Sequence, residues 1–239
     1  VQELDKQVRD AANSFEFHAL YRALHDFCAV DLSAFYFDVR KDALYCDRPD
    51  DLTRRACRTV LDILFDCLTS WLAPILCFTT EEAWLARGKA PESVHLRVHP
   101  TIPADWRNDA LADKWEKVRR VRRVVTGALE LERAEKRIGS SLQACPLVHI
   151  EDAGLRDVVA SVDLAAICIT SQIRVEAGNG PDEAFRLEDI AGVTVVPITA
   201  EGQKCERCWK VLPEVGEIKE VPGTCRRCAD AVGALGGVA

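Results

Sequence analysis

Apolar side chains recur every three or four residues along residues 1–90 of the chain. The clearest short stripe consists of Phe17, Leu20, Leu24 and Phe27. Residues at this spacing fall on one face of an α-helix, so the stripe predicts an amphipathic helix. A second stripe steps by four from residue 52 to residue 72. We expect that helix to end before Pro74, because the residue before a proline disfavours the helical conformation.

Polar residues indicate where two further helices begin. Asp31 and Ser33 are cap-type residues in front of an apolar run, which predicts that a helix starts at Ala34. Thr79 is followed three residues later by Glu82, which is the spacing of a capping box. A helix is therefore expected to open at this point and to continue through residue 84.

A connector over residues 91–103 leads into a long predicted helix over residues 108–137. Four apolar residues share one face of it at 100° per residue: Val118, Val121, Val125 and Leu129. The opposite face is basic and carries Arg119, Arg120 and Arg123, with Arg137 near them and Arg122 at the margin of the apolar stripe. We expect Gly139 to end the helix, because glycine readily adopts the left-handed conformation found there.

Beyond residue 146 the pattern changes to short runs rich in valine and isoleucine. These β-type runs cover residues 147–150, 167–169, 173–175 and 193–196. A helix is predicted between the first two, over residues 152–162. Short strands mixed with a helix predict a small α+β unit.

Four of the eleven cysteines form a metal-ligand pattern near the end of the chain. They are Cys205, Cys208, Cys225 and Cys228, two Cys-x-x-Cys pairs separated by sixteen residues. Two such pairs place four thiolates around one tetrahedral Zn²⁺ and leave no position for water. The spacing predicts one structural zinc ion per chain. The alternative is a pair of disulfides or of redox dithiols, although the βαβ setting of thioredoxin-like motifs is missing.

Composition limits the classes of protein that fit. Hydrophobic residues make up 48% and charged residues 29%, which is ordinary for a globular protein. No apolar run reaches the ~20 residues of a membrane-spanning helix, and no signal segment opens the chain, so we expect a soluble protein that acts in the cytoplasm without a membrane partner. The net charge is −7, so any binding of nucleic acid requires a local basic patch.

Several short motifs follow one another along the chain. The helical part contains Asn13-x-Phe15-Glu16-Phe17, Asp31-Leu32-Ser33-Ala34-Phe35-Tyr36, Lys41-Asp42-x-Leu44-Tyr45-Cys46, Arg54-Arg55-Ala56, Leu72-Ala73-Pro74-Ile75-Leu76 and Phe78-Thr79-x-Glu81-Glu82-x-Trp84. Farther on are Glu135-Lys136-Arg137-Ile138-Gly139-Ser140-Ser141-Leu142-x-Ala144 and the cysteine tail, which opens with Glu201-Gly202-x-Lys204. In this order the motifs resemble the C-terminal part of bacterial isoleucyl-tRNA synthetases.

The resemblance implies a mainly α protein in three parts. It implies a helical-bundle anticodon-binding domain over residues 1–143, a small α+β unit over residues 144–198, and a four-cysteine zinc ribbon with a tail over residues 199–239. The parent enzyme would attach isoleucine to its tRNA at the expense of ATP, and this part would hold the anticodon stem-loop of tRNA(Ile). The family also suggests a monomer.

The chain departs from that family in what it lacks. The His-x-Gly-His and Lys-Met-Ser-Lys-Ser signatures of the catalytic fold are absent, and the sequence contains no methionine. No editing domain is recognisable. We therefore expect a C-terminal fragment that neither activates isoleucine nor edits when it is alone.

Basic and aromatic residues are the candidates for RNA contacts. On the long helix these are Arg119, Arg120, Arg122, Arg123 and Arg137, and around the metal site Arg207, Trp209, Lys210, Arg226 and Arg227. Phosphates need basic side chains and splayed bases need stacking surfaces. The alternatives are a solvated helix face, arginines that offset the charge of a four-thiolate zinc centre, and a tryptophan that covers the ribbon core. We expect Trp209 to cover the core. Arg54 and Arg55 either face RNA or pair with carboxylates.

Two other functions compete with this interpretation. A zinc ribbon can instead be a module that binds another protein, with the basic residues serving only solubility. The cysteine spacing also resembles the finger of bacterial formamidopyrimidine-DNA glycosylases. Those enzymes begin with a catalytic Pro-Glu, whereas this chain begins Val1-Gln2-Glu3, and its helical part does not fit them.

Overall fold

The computed structural model describes residues 1–88 and 92–236. Pro91, the first residue of the predicted connector, lies outside these ranges. The chain forms two compact units: one contains residues 1–44 and 50–108, and the other contains residues 45–49 and the chain from residue 109 onward. Among the described helices, none has the length and apolar character needed to cross a bilayer.

The first unit is helical. Its elements are α1 (Gln2–Ser14), α2 (Phe17–Asp26), a π-helical stretch (Phe27–Phe37), α3 (Asp38–Cys46, whose last two residues belong to the second unit), α4 (Leu52–Leu72) and α5 (Cys77–Arg87), followed by short 3₁₀ turns at Val94–Leu96 and Ala104–Trp106. The predicted helix start at Ala34 is wrong, because the backbone stays helical from residue 17 to residue 46. The preceding turns already supply acceptors for the N–H groups there, so Asp31 and Ser33 have no terminus to cap.

Helices α4 and α5 meet at a tight turn. The predicted bounds of α4 are confirmed, and its first N–H groups are capped by the Asp51 carboxylate, which accepts from the N–H groups of Thr53 and Arg54. The predicted capping box at Thr79 is wrong, since α5 already begins at Cys77 without a side-chain cap. The chain turns directly after Pro74, so the next helix starts two residues earlier than its polar residues indicate.

The core of the first unit lies between α1, α2 and α4. Its buried members are Leu4, Val8, Ala11, Leu20, Leu24, Cys67 and Trp71. Trp71 is almost completely buried, and its indole N–H donates to the Asp5 carboxylate at 3.2 Å. The hydrogen bond satisfies the one polar group of this side chain, which would otherwise be costly to bury.

The long helix of the second unit is α6 (Asp109–Ala134). Its predicted apolar face is confirmed, since Val118, Val121, Val125 and Leu129 are all buried. The helix ends before Gly139, and the left-handed residue is Lys136, with φ of 59°. The Arg137 N–H donates to the Glu132 carbonyl at 2.9 Å, which closes the helix end without a glycine.

A four-stranded sheet packs on α6. Its strands are β1 (Leu147–Ile150), β2 (Arg174–Ala177), β3 (Phe185–Leu187) and β4 (Ile190–Val196), in the order β2-β1-β4-β3. Strands β1 and β2 are parallel, and the other pairs are antiparallel. The crossover between β1 and β2 contains α7 (Ala153–Ala160) and α8 (Leu164–Cys168).

Two details of this region differ from the sequence prediction. Residues 167–169 are not a strand, because Asp163 caps α8 by accepting from the Ala166 N–H at 2.9 Å, and Ile169 ends it with φ of 56°. Strand β3 lies outside the β-type runs that the sequence predicts. Its Phe185 ring would lie 2.9 Å from a Cβ at Gly127, so α6 approaches the sheet closely at a residue without a side chain.

These elements confirm a mainly α protein with a small α+β part. The division at residues 143 and 198 stays a prediction. The compact second unit begins at residue 109, because the apolar face of α6 packs on Val148, Ile150, Val193 and Val195 of the sheet.

Truncating Leu129 tests this packing. We expect Leu129→Ala to lower the free energy of unfolding by about 2–5 kcal/mol, because the side chain is buried and leaves a cavity. Leu131→Ala on the same helix is the control, since Leu131 is 51% exposed, and it should change stability by less than about 1 kcal/mol. Urea denaturation followed by circular dichroism measures both. Equal effects of the two changes would contradict the packing described.

Candidate metal centre and basic surfaces

The last part of the chain is a small ribbon that brings four cysteines together. It consists of the hairpin β5 (Gln203–Lys204) and β6 (Val211–Leu212) and the helix α9 (Arg226–Gly236). Cys205 and Cys208 lie in the hairpin turn, while Cys225 and Cys228 lie at the start of α9. All four are buried, and their Sγ atoms lie within 4.8 Å of one another.

Backbone hydrogen bonds shape the turn that presents the first pair. The Cys205 N–H donates to the Lys210 carbonyl at 2.8 Å, and the Trp209 N–H donates to the Cys205 carbonyl at 2.9 Å. Gly202, with φ of 115°, precedes this turn, and a Cβ there would lie 2.2 Å from the Leu212 carbonyl carbon. Only glycine fits this position.

The four sulfur atoms fit a tetrahedral zinc ion. Sulfurs that each lie about 2.3 Å from one Zn²⁺ are about 3.8 Å apart in a tetrahedron. The Sγ atoms of Cys208 and Cys225 are 3.8 Å apart, far longer than the ~2.05 Å of a disulfide. All eleven cysteines are free. A hydrogen bond from Cys228 lowers the pKa of the Cys208 thiol, which favours the thiolate form that a metal ion binds.

Two arginines of the ribbon are bound to residues 45–49 of the same unit. The Arg207 guanidinium donates to the Tyr45 carbonyl at 3.0 Å, to the Cys46 carbonyl, and to the Cys228 sulfur at 3.7 Å. Arg227 pairs with Asp47 at 3.0 Å. We call Arg207 and Arg227 the arginine clamp, because they hold the end of α3 and the turn after it. No local sequence pattern indicates this contact, because its two sides are more than 150 residues apart in the chain.

Cys46 has no recognisable role in the sequence but is part of the ribbon core. It is buried beside the four cysteines, with Val215 and Leu212. Its Sγ lies 3.8 Å from the Arg207 carbonyl oxygen. Its position 159 residues before Cys205 explains why the cysteine spacing gave no signal for it.

The remaining basic and aromatic residues of the ribbon are more exposed. Trp209 is 61% exposed, so the expectation that it covers the ribbon core is wrong. Leu212, Val215 and Cys46 fill that core instead. The Lys204 ammonium lies 5.5 Å from the centre of the Trp209 ring. Arg226 pairs with Glu217, with N–O distances of 3.1 and 2.5 Å, and Lys210 is half-buried.

The arginines of α6 differ in how they are engaged. Arg120 is exposed, and no carboxylate lies within ion-pair distance of it among the described residues. Arg123 pairs with Asp189, and Arg122 donates to the Ile167 carbonyl at 3.0 Å. Arg119 is half-buried. Arg137 binds the Glu132 carboxylate through two hydrogen bonds of 2.6 Å, which lowers the pKa of Glu132.

Two protein families match the chain. Residues 1–149 match the family described as the anticodon-binding domain of tRNA ligase. Residues 202–231, which contain the four clustered cysteines, match the zinc finger found in FPG and IleRS. The two matches occur in the order that the sequence motifs predict.

Curated relatives are similar to the chain over nearly its whole length. The chain is 56% identical over 232 residues to an isoleucine–tRNA ligase of Agrobacterium fabrum. The aligned region covers 97% of the chain and 24% of that protein. It is 54% identical to that of Mesorhizobium japonicum, over 95% of the chain and 23% of the relative. It is 55% identical to the isoleucine–tRNA ligase of Ruegeria pomeroyi, over 97% of the chain and 24% of the relative. The chain thus spans about a quarter of the length of these relatives.

Removing one of the four clustered cysteines tests the metal centre. We expect one zinc per chain in the purified protein and none in Cys225→Ala, because three thiolates hold the ion much more weakly. The ribbon should then unfold before the rest of the chain. Cys77→Ala is the control, since Cys77 is exposed and lies in the first unit. Metal analysis by plasma mass spectrometry measures the stoichiometry, and wild-type protein without zinc would contradict the assignment.

Truncating Arg207 tests the arginine clamp. We expect Arg207→Ala to raise amide hydrogen exchange in residues 45–49 by roughly tenfold, because the Tyr45 and Cys46 carbonyls lose a charge-assisted donor. Arg226→Ala also removes a ribbon arginine, but that arginine pairs with Glu217, so exchange in residues 45–49 should not change. Mass spectrometry of peptides covering this turn measures both. If Arg207→Ala leaves exchange unchanged, the clamp does not hold the turn.

Proposed function

Because the chain belongs to the family of anticodon-binding domains of tRNA ligases, we propose that it binds the anticodon stem-loop of tRNA(Ile) as part of an isoleucine–tRNA ligase. The observation that carries this proposal is the family match over residues 1–149, followed in the same chain by the zinc finger. The name shared by the relatives supports isoleucine as the amino acid.

The basic side of α6 is the proposed site of contact with the RNA backbone. Arg119 and Arg120 each lie about one helical turn before Arg123, in a protein whose net charge is −7. Arginine side chains bind phosphates through paired N–H donors. The ion pair of Arg123 with Asp189 joins two side chains that are mostly exposed, and such pairs contribute little to stability. A phosphate can therefore replace the carboxylate at modest cost.

The ribbon is the proposed second contact. We propose that Cys205, Cys208, Cys225 and Cys228 hold one zinc ion. With four protein ligands no position remains for water, so the ion would serve structure and not catalysis. Trp209 and Lys210 lie on the turn that the first two cysteines fix. An exposed indole beside a basic side chain is suited to stacking on an unpaired base. Arg226 is available in the same way as Arg123, whereas Arg207 and Arg227 are proposed to act mainly through the clamp.

The complete enzyme is proposed to attach isoleucine to tRNA(Ile) with ATP in the cytoplasm, acting as a monomer. Residues 1–239 supply RNA binding in this proposal and none of the chemistry. Isoleucine-dependent exchange of pyrophosphate into ATP should accordingly be absent when this chain is assayed alone.

Binding of a tRNA(Ile) transcript tests the proposal. We expect Arg120→Gln/Arg123→Gln to weaken binding about tenfold and to make its dependence on salt shallower, because each phosphate contact contributes about 0.7–0.9 to the slope of log K against log salt. Arg174→Gln/Arg186→Gln is the matched control, since it removes the same charge from strands β2 and β3 of the same unit. Fluorescence anisotropy over a series of salt concentrations measures the affinities.

Two results would argue against the proposal. Equal affinity for tRNA(Ile) and a non-cognate tRNA would show that the chain does not recognise the anticodon. No binding to either would favour the alternative, a zinc ribbon that binds another protein.

A further inference from the structure

A cleft of about 650 Å³ opens on the first unit between α4 and α5. Its lining is Arg55, Arg58, Thr59, Leu61, Asp62, Phe65 and Arg87. Three of these residues are arginines and one is acidic. The cleft therefore concentrates positive charge in an acidic protein, on a unit that does not contain the basic side of α6.

The charges in this arginine cleft are unequally balanced. Asp62 pairs with Arg87. Arg55 and Arg58 are exposed, and among residues 1–88 and 92–236 no carboxylate lies within ion-pair distance of either. They are three residues apart on α4, where like charges repel and destabilise a helix slightly. A bound anion would relieve that repulsion.

Aromatic rings hold the wall of the cleft. The Arg87 guanidinium lies 5.6 Å from the centre of the Phe65 ring, and Phe65 stacks on Trp84 at 6.2 Å with 14° between the ring planes. Trp84 is buried, and its indole N–H donates to the Glu92 carbonyl at 2.9 Å. Arg87 is thus fixed by Asp62 and Phe65 before any ligand binds, which lowers the entropy lost on binding.

We propose that the arginine cleft binds a phosphate group of the RNA backbone, as a contact separate from α6 and the zinc ribbon. A guanidinium presents a planar set of N–H donors that matches phosphate oxygens, and the guanidinium groups of Arg55 and Arg58 on one helix face supply the charge for it. Of the seven lining residues only Leu61 and Phe65 have apolar side chains, and three carry guanidinium groups, so the lining favours an anion over a neutral apolar ligand. This inference rests on the proposed function, because it takes the phosphate to belong to the bound tRNA.

The variant Arg55→Gln/Arg58→Gln tests the cleft in the full 239-residue chain. Glutamine is also a good helix former, so α4 should persist. Because the variant removes a repulsion between two like charges, its thermal stability should be at least that of the wild type. We expect tRNA(Ile) affinity to fall about tenfold and the salt dependence to become shallower by about 0.7–0.9 for each phosphate that the variant no longer binds. Lys6→Gln/Arg22→Gln is the control, since it removes the same charge from exposed positions of the same unit. It should change affinity by less than about twofold, because neither side chain lines the cleft.

Further measurements identify the source of the phosphate and distinguish failure of the cleft assignment from failure of the proposed function. If the wild type, Arg55→Gln/Arg58→Gln and Lys6→Gln/Arg22→Gln all bind tRNA(Ile) with the same affinity, the cleft assignment is overturned while the proposed function stands. If wild type binds no tRNA, the proposed function fails, and with it the assignment of the phosphate to RNA. A titration with inorganic tripolyphosphate tests whether the cleft binds a free phosphate compound instead of RNA. If tripolyphosphate binding requires Arg55 and Arg58 but tRNA(Ile) affinity does not depend on them, the RNA assignment is overturned. A titration with poly-glutamate tests for an acidic protein partner. If poly-glutamate binding requires Arg55 and Arg58 but tRNA(Ile) affinity does not, the cleft binds an acidic protein surface and the RNA assignment is overturned.

Discussion

The convergence of four sulfur atoms on one point is the constraint on which the ribbon depends. Each of its two strands has only two residues, and its core contains little besides the cysteines, Leu212 and Val215. Apolar burial on this scale cannot offset the conformational entropy of ordering the segment. Binding of one zinc ion supplies the missing free energy, because the ion holds two distant parts of the chain at fixed distances.

The same centre determines where the nearby arginines point. Arg207 lies between two cysteines of the site, so fixing the sulfurs also fixes its guanidinium against the Tyr45 and Cys46 carbonyls. Arg227 lies between the other two and meets Asp47. Metal binding and the position of residues 45–49 are therefore linked, although the two segments are more than 150 residues apart in the chain.

Electrostatics set the manner in which an acidic protein can hold RNA. Several of its arginines already have carboxylate partners on the surface, as Arg123 and Arg226 do. Exposed pairs of this kind are weak and are screened by salt, so phosphates compete with them effectively. Within the described part of the chain, Arg55 and Arg58 need no such exchange. Binding then relies on a few local patches, which makes it sensitive to salt and to single substitutions.

The sequence by itself determined the features that depend on local periodicity and spacing. The bounds of α4, the buried face of α6 and strand β1 follow from residues a few positions apart, and the cysteine cluster follows from two Cys-x-x-Cys pairs sixteen residues apart. Tertiary structure decided whether a polar residue caps a helix, since Asp31 and Thr79 lie where N–H groups already have partners. It also placed residues 167 and 168 in a helix that ends at Ile169, and it left Trp209 exposed. The partner of an arginine is equally beyond local pattern, because Arg207 and Arg123 bind groups that only the folded chain brings near them.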